Sequence, residues 1–236
     1  MSFDLAVWFE PERVSASDAA GKYERLCDSD LAGAGVVASE AVSAFHQALI
    51  MRFPELSSAG DDGQQVSVSV SPWTAGLDVS AAHVLMPMSW SRASETAPEV
   101  VALAGRHGLV CFDPQAEVLH LPSALRAADG LSLQPCVGLK VEDPDLVVIE
   151  RAVRRLSAEN WFLILERPLG RYLQVAQGPN AGLSASGFAV EHRDGSPDRH
   201  YRCVLSEKDQ VATIFADFAS GEAAWSVDAR WDKVSM

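Results

Sequence analysis

Trp161-Phe162-Leu163-Ile164-Leu165-Glu166-Arg167-Pro168-Leu169-Gly170-Arg171-Tyr172-Leu173-Gln174-Val175-Ala176-Gln177 decides the fold of this chain. Two apolar runs of strand length flank Pro168-Leu169-Gly170, whose proline and glycine punctuate a turn. A third run, Gly187 to His192, leads into Glu191-His192-Arg193-Asp194-Gly195-Ser196-Pro197-Asp198-Arg199-His200-Tyr201, and a fourth strand follows over Tyr201–Leu205. Strands joined by connections this short pair antiparallel, so the segment predicts a meander.

Working outward, Asp143-Pro144 predicts a capped helix before the meander, with Leu146, Ile149, Val153 and Leu156 on one face. After it, Ser206-Glu207-Lys208-Asp209 caps a helix bearing Val211, Ile214, Phe215 and Phe218, which Gly221 ends. Trp225 to Val234 reads as a last strand. This C-terminal module, residues 136–236, is predicted as an antiparallel sheet covered by helices on one face.

Residues 1–125 read as a second α+β module. Phe3 to Phe9 predicts a strand, Ser17-Asp18 caps a helix with Tyr23 and Leu26, and Ser39 caps another with Val42, Phe45 and Leu49. Ser57 to Gln65 reads as a loop and Val66 to Val70 as a half-exposed strand. Trp73 to Val79 reads as a turn, and His83 to Trp90 as a strand that Pro87 moves toward a sheet edge. Thr96-Ala97-Pro98-Glu99 starts a helix that Gly108 ends, and a hairpin turns around Asp113-Pro114-Gln115. Pro122 to Pro135 separates the modules. The expected fold class is α+β: two modules, each a mainly antiparallel sheet covered by helices.

The 236 residues carry a formal net charge of −13. Residues 1–130 hold 17 Asp and Glu against 7 Lys and Arg, and residues 131–236 hold 15 against 12. Such acidity disfavours nucleic acid and anionic lipid and suits a basic partner, though on charge alone the simpler reading is that it keeps the protein soluble. Cys27, Cys111, Cys136 and Cys203 form no metal-ligand spacing, so free buried thiols in a reducing cytoplasm are expected, with no metal and no cofactor. The start, Met1-Ser2-Phe3-Asp4-Leu5, lacks the basic and apolar regions of a signal peptide, and no apolar run reaches the ~20 residues of a bilayer span.

No nucleophile elbow, phosphate loop or dinucleotide fingerprint is present. The densest titratable group is Glu191, His192 and His200 with Asp194 and Asp198, which would suit a small hydrolase or transferase if the three side chains met in one pocket. Strand alternation opposes this, because Glu191 and His192 point to opposite faces. A solvated hairpin tip is the simpler reading, and a binding tip lies between the two. Trp73, in a predicted loop, is the tryptophan best placed to be an exposed anchor, although core packing is the simpler reading even there.

The run Phe162–Arg167, the run Tyr172–Ala176 and the segment Phe188–Tyr201, with the following helix and the Trp225 … Trp231 tail, resemble the immunity proteins of actinobacterial polymorphic toxin systems over residues 145–234. The N-terminal Phe3–Trp8 run resembles modules of uncharacterised actinobacterial proteins and implies nothing further. The resemblance implies a small, non-enzymatic cytoplasmic protein that binds a cognate protein toxin and occludes its active surface. It carries no catalytic residues over. On that reading the expected contacts are Asp61, Asp62 and Trp73, or the tip Asp194, Asp198 and Arg199; the alternative remains the Glu191/His192/His200 enzyme, or a protein-interaction scaffold.

Overall fold

The computed structural model describes residues 2–56, 71–184, 186–222 and 229–234. The expected loop Ser57–Gln65, the strand Val66–Val70 and Trp225 lie outside them. The fold is α+β, with a five-stranded and a seven-stranded, mainly antiparallel sheet. Contacts divide the chain into two compact units, Met1–Arg126 and Ala127–Met236. Among the described residues no helix is long and apolar enough to cross a membrane.

In the first unit β1 (Ser2–Trp8) is central. It pairs along its whole length with β3 (His83–Ser89) and on its other side with β4 (Val110–Asp113). The short strands β2 (Asp78–Val79) and β5 (Val118–His120) complete the order β2-β3-β1-β4-β5. Both β3 and β4 run antiparallel to β1 and therefore parallel to each other, with α4 (Trp90–Arg106) joining them across it. Leu5, Ala6, Val7 and Trp8 are all fully buried, so the sheet is covered on both faces at its centre. Helices α1 (Ala16–Cys27), α2 (Leu31–Ala34) and α3 (Glu40–Arg52) precede β2.

Ser39 caps α3, and Val42, Phe45 and Leu49 are its buried stripe, as their spacing predicts. The cap of α1 is Ser15 rather than Ser17, its hydroxyl accepting from the Asp18 amide at 3.0 Å. Helix α4 starts at Trp90, six residues before the expected Thr96, so Pro98 lies inside it and Thr96 is buried. Pro87 sits opposite Asp4 of β1. The Pro87 carbonyl accepts from Thr74, so its missing N–H points to the side where β2 has ended and only an isolated bridge, Trp73 to Met88, continues the pairing.

In the second unit β6 (Ser132–Pro135) and β7 (Val141–Glu142) precede α5 (Leu146–Arg154). The meander β8 (Phe162–Arg167), β9 (Arg171–Gln177), β10 (Phe188–Asp194) and β11 (His200–Leu205) follows, then α6 (Lys208–Ser220) and β12 (Asp232–Lys233). The sheet order is β12-β11-β10-β9-β8-β6-β7. Helix α6 packs on β9, β10 and β11, and α5 packs along α6. Their buried residues are Val148, Ile149 and Val153 of α5 and Val211, Ile214, Phe215 and Phe218 of α6.

Two expectations for α5 are corrected. Leu146 is half exposed, because the helix turns Val148 inward instead. The cap is Asp145, which accepts from the Val148 amide at 2.8 Å; Asp143 instead accepts from Ala127. Asp145→Ala is therefore expected to cost about 1 kcal/mol, read as a lower urea midpoint with unchanged slope, while a midpoint within error of the parent would mean the cap is dispensable.

Candidate binding surface

The period of two along a strand sorts the meander's side chains onto two faces. On the helix-covered face, Leu163, Leu165, Leu173, Val175, Val190, His192 and Cys203 are all buried. The other face is assembled by register. Phe162, Ala176, Ala189 and Val204 form one cross-strand row; Ile164, Gln174, Glu191 and Arg202 form the next; Glu166, Tyr172, Arg193 and His200 form a third. Polarity thus rises from row to row. Val204 is 58% exposed, and Phe162 and Ile164 are part-exposed.

Two adjoining depressions sit on this face. One, of about 260 Å³, is walled by Trp161, Phe162 and Ile164, and the Trp161 and Phe162 rings meet edge to face with centroids 4.9 Å apart. The other, of about 240 Å³, lies under a 3-10 turn at Gly178–Ala181 and is bordered by Gln174, Glu191 and Arg202. Arg202 holds that turn in place by donating to the Ala181 carbonyl at 2.8 Å.

Glu191 is the hub of the polar rows. One carboxylate oxygen accepts from Gln174 Nε2 at 2.7 Å and lies 3.1 Å from His200 Nε2; the other is 3.7 Å from the Arg202 guanidinium. Tyr172 Oη is 3.5 Å from the same His200 nitrogen. Glu191 and His200 keep only 20% and 14% of their side-chain surface, so the network is fixed rather than floating in solvent. It offers oriented donors and acceptors on a rigid sheet.

The three-residue enzyme set is not assembled. His192 lies on the helix-covered face, its ring against Phe218 at 6.0 Å and Trp231 at 6.5 Å, while Glu191 and His200 lie on the other. Burial lowers the His192 pKa to about 4. Alternation separates Glu191 from His192 as the sequence predicts, so the three side chains do not meet in one pocket. Among the described residues no group of three or more His, Cys, Asp or Glu is placed to hold a metal ion.

Asp194, Asp198 and Arg199 lie at the β10–β11 tip. Asp194 is bracketed by Arg171 at 3.3 Å and Arg199 at 3.0 Å, so its charge is balanced within the tip. Asp198 accepts from the Ser196 hydroxyl, which lowers its pKa. Trp73 is corrected: it is 4% exposed, its indole N–H donating to the Phe53 carbonyl at 3.2 Å and its ring edge-on to Phe53. It is a packing residue, not an exposed anchor. Asp61 and Asp62 lie outside the described residues. Of the four thiols, Cys111 and Cys203 are buried and Cys27 is exposed, which corrects the expectation that all are buried.

Sequence reasoning did not single out Phe162, Ile164 and Val204, because an apolar strand residue reads as core until the layers are known. Comparison with family models, curated proteins and solved structures found no match to the chain.

Proposed function

We propose that this chain is a non-enzymatic, cytoplasmic binding protein of the toxin-neutralising kind, and that it covers a protein toxin with the open face of its second sheet. The observation that carries this reading is the asymmetry of that sheet. One face is sealed by α6, whereas the other sets part-exposed apolar residues beside a fixed polar network. Aromatic and aliphatic groups bordered by satisfied polar groups are the composition of an interface centre and rim. The formal charge of −13 favours a partner with a basic surface, since complementary potential speeds encounter. The resemblance of residues 145–234 to immunity proteins supplies the partner class.

The test is co-expression with each toxin gene encoded beside this one. The wild-type chain is expected to restore growth and to bind purified toxin. Val204→Glu places a charge on the exposed apolar row without disturbing the core and is expected to weaken binding by about tenfold or more. If the wild-type chain protects against none of these toxins, the reading fails.

A further inference from the structure

Leu169 occupies a position that a leucine rarely takes. It sits at the tip of the β8–β9 hairpin with φ +66°, and it is 88% exposed. A side chain in the left-handed region crowds the backbone, and glycine or asparagine adopt it at far lower cost. Three other non-glycine residues share a positive φ among the described residues, Ser29, Glu117 and Asp143, and all are polar. Leu169 alone adds an apolar group exposed to water to the backbone strain, so local stability does not account for it.

Neighbouring contacts hold the strained turn in place. Before it, Arg167 bonds Asp129 at 2.8 Å and donates to the Ala219 carbonyl at 2.5 Å, and the Pro168 ring lies where a side chain at Gly130 would have to be. After it, Gly195 donates to the Gly170 carbonyl at 3.3 Å, tying the two hairpin tips together. Glycine suits position 195: its φ is +75° and a Cβ would crowd the Leu169 carbonyl at 3.2 Å. At the same end of the sheet Arg171, Asp194 and Arg199 pair their charges with one another.

We infer that Leu169 is an anchor residue, presented by a deliberately strained turn for insertion into an apolar socket on the protein partner, with the Arg171–Asp194–Arg199 cluster as its polar rim. Strain kept by its surroundings is a mark of functional positions, and a buried apolar anchor inside a ring of polar groups is the arrangement of a binding hot spot. A lipid surface is the poorer occupant, because one leucine gives little insertion and the chain's charge is strongly negative. The inference rests on the binding-protein reading above and extends its surface from the open face to the sheet's end.

The experiment uses the full chain, and the probe is the catalytically inactivated toxin encoded beside the gene. Leu169→Asn relieves the turn and is expected to raise the melting temperature by about 2–4 °C while weakening toxin binding about a hundredfold. Leu169→Met keeps an apolar anchor and is expected to bind within about fivefold of wild type. A lower melting temperature for Leu169→Asn, or toxin affinity within about threefold of wild type, overturns the anchor and leaves the open-face reading standing. Absence of wild-type binding overturns the binding reading and the anchor with it. Wild-type self-association abolished by Leu169→Asn would show the socket to be on a second copy, and also overturns the assignment to a toxin.

Discussion

Arg167→Ala is expected to destabilise the second unit by about 3 kcal/mol and to lower its melting temperature by about 10 °C or more. Arg167 ends β8 and turns toward the helix-covered side, where only 13% of its side chain remains exposed. It donates to Asp129 at 2.8 Å and to the carbonyls of Phe218 and Ala219, at 3.3 and 2.5 Å, and its guanidinium lies 5.8 Å from the Phe218 ring centre. Those carbonyls end α6, where backbone donors run out and the dipole favours a cation, although Phe218 also accepts from the Gly221 amide at 3.2 Å. Removing the side chain takes the guanidinium donor from the Ala219 carbonyl and from one Asp129 carboxylate oxygen in a part-buried place. Arg167→Lys keeps the charge but not the planar fork, so an intermediate loss is expected. Chemical denaturation followed by far-ultraviolet dichroism reads both variants, and a midpoint for Arg167→Ala equal to the parent's would show the contacts to be incidental.

Mild acid is expected to destabilise each unit through one buried histidine. Burial lowers the pKa of both His120, in the first unit, and His192, in the second, to about 4. The nearby Arg126 reinforces this for His120, whereas the Asp194 charge opposes it for His192, with Arg171 and His200 acting the other way. At neutral pH the ring is uncharged whether the chain is folded or not, so the histidines cost nothing. Below the ordinary value of about 6.5 the unfolded chain takes up a proton that the folded chain refuses until about pH 4. Stability therefore falls as pH drops through that window, by roughly 1.4 kcal/mol per pH unit for each histidine, or about 2 kcal/mol each at pH 5. Carboxylates titrating in the same range are common to parent and variant, so the comparison isolates the ring. His120→Gln and His192→Gln are expected to show a smaller difference in urea midpoint between pH 7 and pH 5 than the parent does. Equal differences would mean that these rings are protonated in the folded protein.

How far the sequence could be read is clearest where one element answers to one local pattern. The stripe Val42, Phe45 and Leu49 and the cap Ser39 placed α3, because helical period and capping are both set within a few residues. The meander was legible for the same reason: four apolar runs and three turns leave little choice of pairing. For helix α4 the sequence places the start too late because Pro98 looks like a first-turn residue, yet tertiary packing of Ala93, Thr96 and Ala97 carries the helix through it. Trp73 looked like an exposed loop tryptophan because nothing local announces that the carbonyl of Phe53 will meet its indole. Strands β6 and β7 are not legible in the sequence because both are short: β6 is fixed by pairing with β8, some thirty residues away in the case of Leu133 and Leu165, and β7 only adds to the edge that β6 provides.

By itself the chain's order of residues determined the fold class, the antiparallel meander and the separation of Glu191 from His192, since these follow from periodicity and from turns a few residues long. Only the tertiary structure decided which face of the second sheet α6 would seal, and hence that Phe162, Ile164 and Val204 belong to an open surface rather than a core. It also decided that Leu169 would be held in a left-handed turn. Both outcomes depend on contacts between residues far apart in the chain, whose energies no local pattern encodes.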